Sequence, residues 1–125
     1  MTLTVCIIDG DPAVRDSLAT VVGLNGHQAL TFASGSEFLD QTSASTPQCV
    51  VCEAELPDTT GLALFETLKL QNPAMRFALL VSHTNAAVAN SAKRLGIDHV
   101  FFKPLVNRRL LAFVSASEAG QPQPR

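Results

Sequence analysis

The side chains best placed to do chemistry in this chain fall in four short clusters: Asp9-Gly10-Asp11, Glu53, Ser82-His83 and Lys103-Pro104. Each follows an apolar run. Carboxylates are the oxygen ligands that hard divalent cations require, and a carboxylate beside a lysine can also form an ion pair. Two readings of Asp9 with Lys103 follow, a remnant of a reactive pocket or an ion pair that steadies loops, and the second is favoured because Gly10 interrupts the acidic cluster. Cys49 and Cys52 form a C-x-x-C pair, the spacing of redox dithiols, but such dithiols sit at a helix N-terminus where a thiolate is stabilised. Here both cysteines lie inside one apolar run. Residues three apart on a strand point to opposite faces, so core packing is expected. His27, His83 and His99 are widely separated and lack zinc-ligand spacing.

The elements that must position these residues are legible as alternating patterns. Val5-Cys6-Ile7-Ile8, Cys49-Val50-Val51-Cys52, Phe77-Ala78-Leu79-Leu80-Val81 and Val100-Phe101-Phe102 are continuously apolar, the pattern of strands buried on both faces. Ala29-Leu30-Thr31-Phe32 is weaker and reads as an edge strand. Between them lie helical stripes. Asp11 and Pro12 have the character of an N-cap and first helical residue, with Val14, Leu18, Val21 and Val22 on one face and Asn25-Gly26 as a stop. Ser34 and Glu37 have capping-box spacing ahead of Phe38 and Leu39. Leu62, Phe65 and Leu68 form a third stripe closed by Pro73. An Ala-rich helix is predicted over Thr84–Leu95, ending at Gly96, and Val106, Leu110, Phe113 and Val114 form the last stripe. Five strand–helix alternations argue a parallel sheet covered on both faces. In such sheets ligands sit at the carboxyl ends of the strands, where the polar clusters fall.

Composition bounds the rest. A chain of 125 residues suits one domain, here taken as residues 1–117, with 118–125 a polar tail or the start of a linker carrying Pro122 and Pro124. Hydrophobic residues make up 46%, which excludes a disordered chain, and charged residues only 16%, as a large buried sheet would give. The net charge of −2 gives no bulk attraction to nucleic acid or anionic lipid. No apolar run approaches the roughly 20 residues that span a bilayer, and Asp9 and Asp11 interrupt the only early apolar stretch, so neither a membrane protein nor a signal peptide is expected. Three cysteines, all in apolar runs, suit a reducing cytoplasm.

The motifs together resemble the receiver domain of response regulators in two-component signalling, in particular receivers that precede helix-turn-helix output domains. Ile7-Ile8-Asp9-Gly10-Asp11 is similar to the acidic opening of that family. Cys49-Val50-Val51-Cys52-Glu53-Ala54-Glu55-Leu56-Pro57-Asp58-Thr59-Thr60-Gly61 resembles its phosphoacceptor strand and loop. Leu80-Val81-Ser82-His83 matches the strand that ends in the switch Ser or Thr, and Phe102-Lys103-Pro104 the Lys-Pro signature. The resemblance covers residues 3 to about 115 and implies a flavodoxin-like (βα)5 fold with strand order 2-1-3-4-5. In the family, two acidic residues and the acceptor Asp hold Mg²⁺ while Ser/Thr and Lys bind the phosphoryl oxygens.

Three positions depart from that pattern. Gly10 stands where the second metal-binding acid belongs, leaving Asp9 and Asp11 as the acid pocket. Glu53 stands at the acceptor position. Val100 occupies the place of the switch aromatic, three residues before Lys103; Ser82, Lys103 and Pro104 persist. The resemblance thus implies an atypical receiver, not an enzyme, with Mg²⁺ binding weak or lost and no other cofactor. It would act without aspartyl phosphorylation through protein partners such as a histidine kinase or an output domain, as monomer or weak homodimer, with no direct nucleic-acid binding. A receiver still phosphorylatable through a weak metal site is the alternative, and a small C-x-x-C redox protein a remoter one. Glu53 either imitates a phosphorylated aspartate at Lys103 and Ser82 or is inert. Lys93, Arg94, His99, Arg108 and Arg109 are candidates for a basic partner face.

Overall fold

The computed structural model describes residues 3–41, 47–82, 85–104 and 107–118. Five strands and five helices alternate: β1 Thr4–Ile8, α1 Pro12–Leu24, β2 Gln28–Phe32, α2 Gly35–Gln41, β3 Cys49–Glu53, α3 Gly61–Gln71, β4 Arg76–Ser82, α4 Ala86–Leu95, β5 His99–Lys103 and α5 Asn107–Glu118. The strands form one parallel sheet in the order β2-β1-β3-β4-β5.

The continuous apolar runs have the expected consequence in the middle of the sheet. Every residue from Val5 to Ile8, from Cys49 to Cys52 and from Phe77 to Val81 is buried. Alternate residues go to opposite faces. Cys6, Ile8, Val50, Cys52, Leu79 and Val81 pack under α2, α3 and α4; Val5, Ile7, Cys49, Val51 and Leu80 pack under α1 and α5. Full burial of one Ile or Leu is worth about 1.5–3 kcal/mol, so these two layers, not the polar cluster, hold the fold together. Cys49 and Cys52 fall on opposite faces, as the strand geometry requires. Burial raises the Cys52 thiol far above its ordinary range, with Asp9 and Glu53 adding to it. Cys6 is pushed up to about 11, mainly by burial and secondarily by Cys49.

The helix signals translate into real caps. Asp11 accepts from the Ala13 amide at 2.9 Å and Pro12 opens α1. Ser34 Oγ accepts from the Glu37 amide at 3.1 Å. The αL turn after α4 falls on Gly96, φ 95°. Three expectations need correction. Val100-Phe101-Phe102 reads as a strand buried on both faces, yet β5 is an outer strand, and Phe102 is 45% exposed. Leu39, taken with Phe38 as the apolar stripe of α2, is exposed. The fourth helix begins at Ala86 behind an Asn85 cap, not at Thr84. Thr84, His83, Val106 and residues 119–125 of the expected 118–125 tail lie outside the described residues, while Glu118 is the last residue of α5.

Candidate functional site

Parallel order brings the carboxyl ends of β1, β3, β4 and β5 to one edge of the sheet, and with them Asp9, Glu53, Ser82 and Lys103. The register places Ser82 directly opposite Lys103. Lys103 Nζ lies 2.8 Å from Asp9 Oδ2 and 2.9 Å from Glu53 Oε2, so one ammonium is held by two carboxylates. Glu53 Oε1 accepts from the Gly10 amide at 3.3 Å. The Glu53 carboxylate therefore joins the ends of β1, β3 and β5. Asp9 is fully buried. Its Oδ1 accepts from the Asp11 amide at 2.9 Å, and its carbonyl accepts from Arg15 Nη1 at 2.8 Å.

Burial raises the Asp9 carboxyl above its usual range; Lys103 and the Asp11 amide oppose this, and the Glu53 charge adds to the rise. For Lys103, burial acts downward, but hydrogen bonds and charge from Asp9 and Glu53 win, and the ammonium is held above its ordinary value. The cluster is thus built to keep Lys103 charged between its two partners.

Asp11, the third member of the acidic cluster, is spent as the α1 cap. Gly10 is exposed, and a Cβ there would stand 3.5 Å from Pro57, ordinary contact distance. Gly61 is different. A Cβ there would come within 2.6 Å of a Leu79 methyl and 2.7 Å of the Glu53 carbonyl oxygen, so this glycine lets the loop after β3 close against the sheet. Pro104 follows Lys103 across a cis peptide bond. Val100 is partly buried against the layer under α3 and α4. Among the described residues, no three His, Cys, Asp or Glu side chains converge as a metal-binding set.

Several contacts at this end of the sheet escaped sequence reasoning. Asp58, in the loop after β3, accepts from the Gly35 and Ser36 amides at 3.0 and 2.8 Å and so caps α2 from a distant loop. Those two amides hold its carboxyl below the ordinary range. Asn85 Nδ2 donates to Glu55 Oε1 at 3.2 Å, linking the same loop to the start of α4. The only sequence signal for either was the turn-rich run Asp58-Thr59-Thr60-Gly61.

The proposed basic face is only partly assembled. Lys93 and Arg94 are exposed on the last turn of α4, and Arg108 is exposed on α5. His99 and Arg109 line one groove, together with Arg76, which sequence reading did not single out.

Comparison with known proteins agrees with this architecture. Residues 5–115 match the family model of the response regulator receiver domain. The chain is 30% identical over 116 residues to the transcriptional regulatory protein FixJ of Azorhizobium caulinodans, covering 93% of this chain and 55% of that protein. Full-length FixJ from B. japonicum superposes with a TM-score of 0.84 at 28% identity, over 96% of this chain and 60% of that one. A CheY-like receiver from Methanospirillum hungatei, at 21% identity and a TM-score of 0.84, shares the fold. The chain spans about half the length of the FixJ relatives it matches. No described helix is long and apolar enough to cross a membrane. With its family match, its 2-1-3-4-5 sheet and its Asp, Ser and Lys at the strand ends, the chain belongs to the response regulator receiver domain family.

Proposed function

We propose that this receiver domain works as a protein-interaction module that does not depend on aspartyl phosphorylation, with Glu53 at the acceptor position. The observation that carries this reading is the Glu53 carboxylate, which already spans the pocket from the Gly10 amide to Lys103. A nucleophile in that position would have to leave Lys103 and meet phosphorus in line, and a misplacement of about 1 Å can lower such a rate on the order of 100-fold.

The residues present do not fit Mg²⁺. Octahedral Mg²⁺ needs oxygen ligands close to 2.1 Å, with little tolerance. Asp9 and Glu53 both hold Lys103, Asp11 caps a helix, and Gly10 has no side chain to offer. The partners proposed are a histidine kinase or an output domain, in keeping with the regulators it resembles; residues 119–125 would be the tail or linker.

Glu53 takes the place at Lys103 that a phosphoryl oxygen would take. One partly solvated pair contributes on the order of 1 kcal/mol. Reversing a two-state switch needs about 5.5 kcal/mol. Glu53 alone therefore does not drive an ordinary receiver into its active form, and with Val100 in place of a large ring the domain rests in one conformation. The direct test is calorimetric titration with magnesium alongside intact-mass measurement after incubation with acetyl phosphate. Neither saturable millimolar binding nor added mass is expected. Saturable binding at this pocket with phosphoryl uptake would establish the alternative, a receiver with a weak but working metal site.

A further inference from the structure

The opposite end of β5 carries a second polar constellation, remote from Lys103. His99, its first residue, is half-buried, and its Nε2 lies 3.1 Å from Arg76 Nη2 at the start of β4. A guanidinium has only N–H donors, so Nε2 must accept, which fixes a neutral ring with its proton on Nδ1. The His99 ring stands edge-on to Phe113 of α5 at 5.0 Å. The Arg76 guanidinium lies 5.2 Å from the centre of that same ring. Phe113 is buried and, with Leu110 and Val114, seats α5 on the sheet. The anchor of α5 is therefore enclosed by an arginine and a histidine that are joined to each other.

We infer that His99 is an acid-released latch for α5: neutral, it holds Arg76 in place over Phe113, and on taking a proton its Nε2 turns from acceptor to donor and drives Arg76 away. The surroundings favour release. Among the described residues, Lys69 of α3, Arg76 of β4 and Asp98 just before β5 line one cavity beside His99, and Arg76 and Arg109 of α5 line another. Arg76 is the cation in contact with the ring, so a protonated His99 would place a second positive charge directly against it. Burial, and then the Arg76 charge, hold the imidazole below its ordinary range despite an upward pull from Asp98. A group depressed in the folded state binds its proton more readily when the chain is unfolded. Its stabilising effect is present above the ordinary value near 6.5 and is lost as pH falls through the folded one.

The test is amide exchange on α5, followed by NMR together with the His99 ring signals from about pH 7.5 down to about pH 5. Protection over Arg109–Val114, corrected for intrinsic rates, is expected to fall at least about tenfold as the ring titrates, while β1 and β3 amides hold. His99→Gln retains an acceptor for Arg76 and cannot titrate, so its α5 protection should stay flat over this range. Arg76→Gln keeps the imidazole but removes the opposing cation, and should also abolish the loss. A ring that titrates with no change in α5, a ring still neutral at the acid limit, or an equal loss in either variant would each overturn the latch.

Discussion

A chain carrying both Gly10→Asp and Glu53→Asp is expected to take up one phosphoryl group from acetyl phosphate in the presence of magnesium, where the parent chain and either single variant take up little. The structure permits the first change. A Cβ at Gly10 meets nothing closer than Pro57 at 3.5 Å, and this glycine does not have a positive φ, so an aspartate fits without backbone strain. The second change draws the carboxylate back by about 1.5 Å, one carbon–carbon bond, and removes it from the Gly10 amide and Lys103. Neither step suffices alone, because Glu53→Asp supplies an acceptor without its metal ligand and Gly10→Asp supplies the ligand without an acceptor. Groups acting as one unit recover non-additively, and the double variant should exceed either single one on the order of 100-fold in rate. Equal rates for Glu53→Asp and the double variant, read by intact mass over time, would show that the metal argument is wrong.

Replacing Lys103 with Met should lower stability by about 3 kcal/mol at neutral pH, the largest loss expected from any single polar change in the domain. Lys103 and Glu53 are about a quarter exposed, 24% and 23%, but Asp9 is 0% exposed and would be left facing a second carboxylate with no cation between them. Burial already raises the Asp9 carboxyl, and removing Lys103 takes away the main influence opposing that rise. The deficit should therefore shrink on acidification, as Asp9 accepts a proton and the repulsion with Glu53 disappears. Adding Asp9→Asn to Lys103→Met should restore most of the loss at neutral pH. Urea unfolding of the three variants at two pH values measures this; a deficit below 1 kcal/mol, or one that does not vary with pH, would mean that the triad is not the cross-link described.

The alternation of apolar runs and helical stripes was enough to place five strands and five helices, because a sheet buried on both faces leaves no polar residue inside its central strands. The same signal failed for β5. A three-residue apolar run is identical whether its strand lies in the middle or at the edge, and only the sheet order shows that Phe102 faces outward. At the site, the residues at the strand ends could be listed, since parallel strands must deliver them to one edge. The union of Lys103 with both Asp9 and Glu53 needed coordinates, because it depends on how far a longer side chain reaches. Arg76 with His99 and Asp58 with α2 were invisible for a simpler reason. Each joins residues more than 20 positions apart through contacts that no spacing or periodicity encodes.

Edge position and pinned ends together give β5 a particular hazard. Among the described strands it pairs only with β4, so its outer row of amides and carbonyls faces away from the sheet, beside an exposed Phe102. His-Val-Phe-Phe is short, rich in β-formers and free of proline, the composition that templates strand addition between copies. Its first residue is tied to Arg76 and its last to Asp9 and Glu53, about 13 Å apart along the strand. Both ties depend on protons, one on a neutral imidazole and the other on ionised carboxylates. Acid would loosen the side-chain ties at both ends of one edge strand, and self-association on acidification should begin there, with a lysine in place of Phe102 as the change best placed to prevent it.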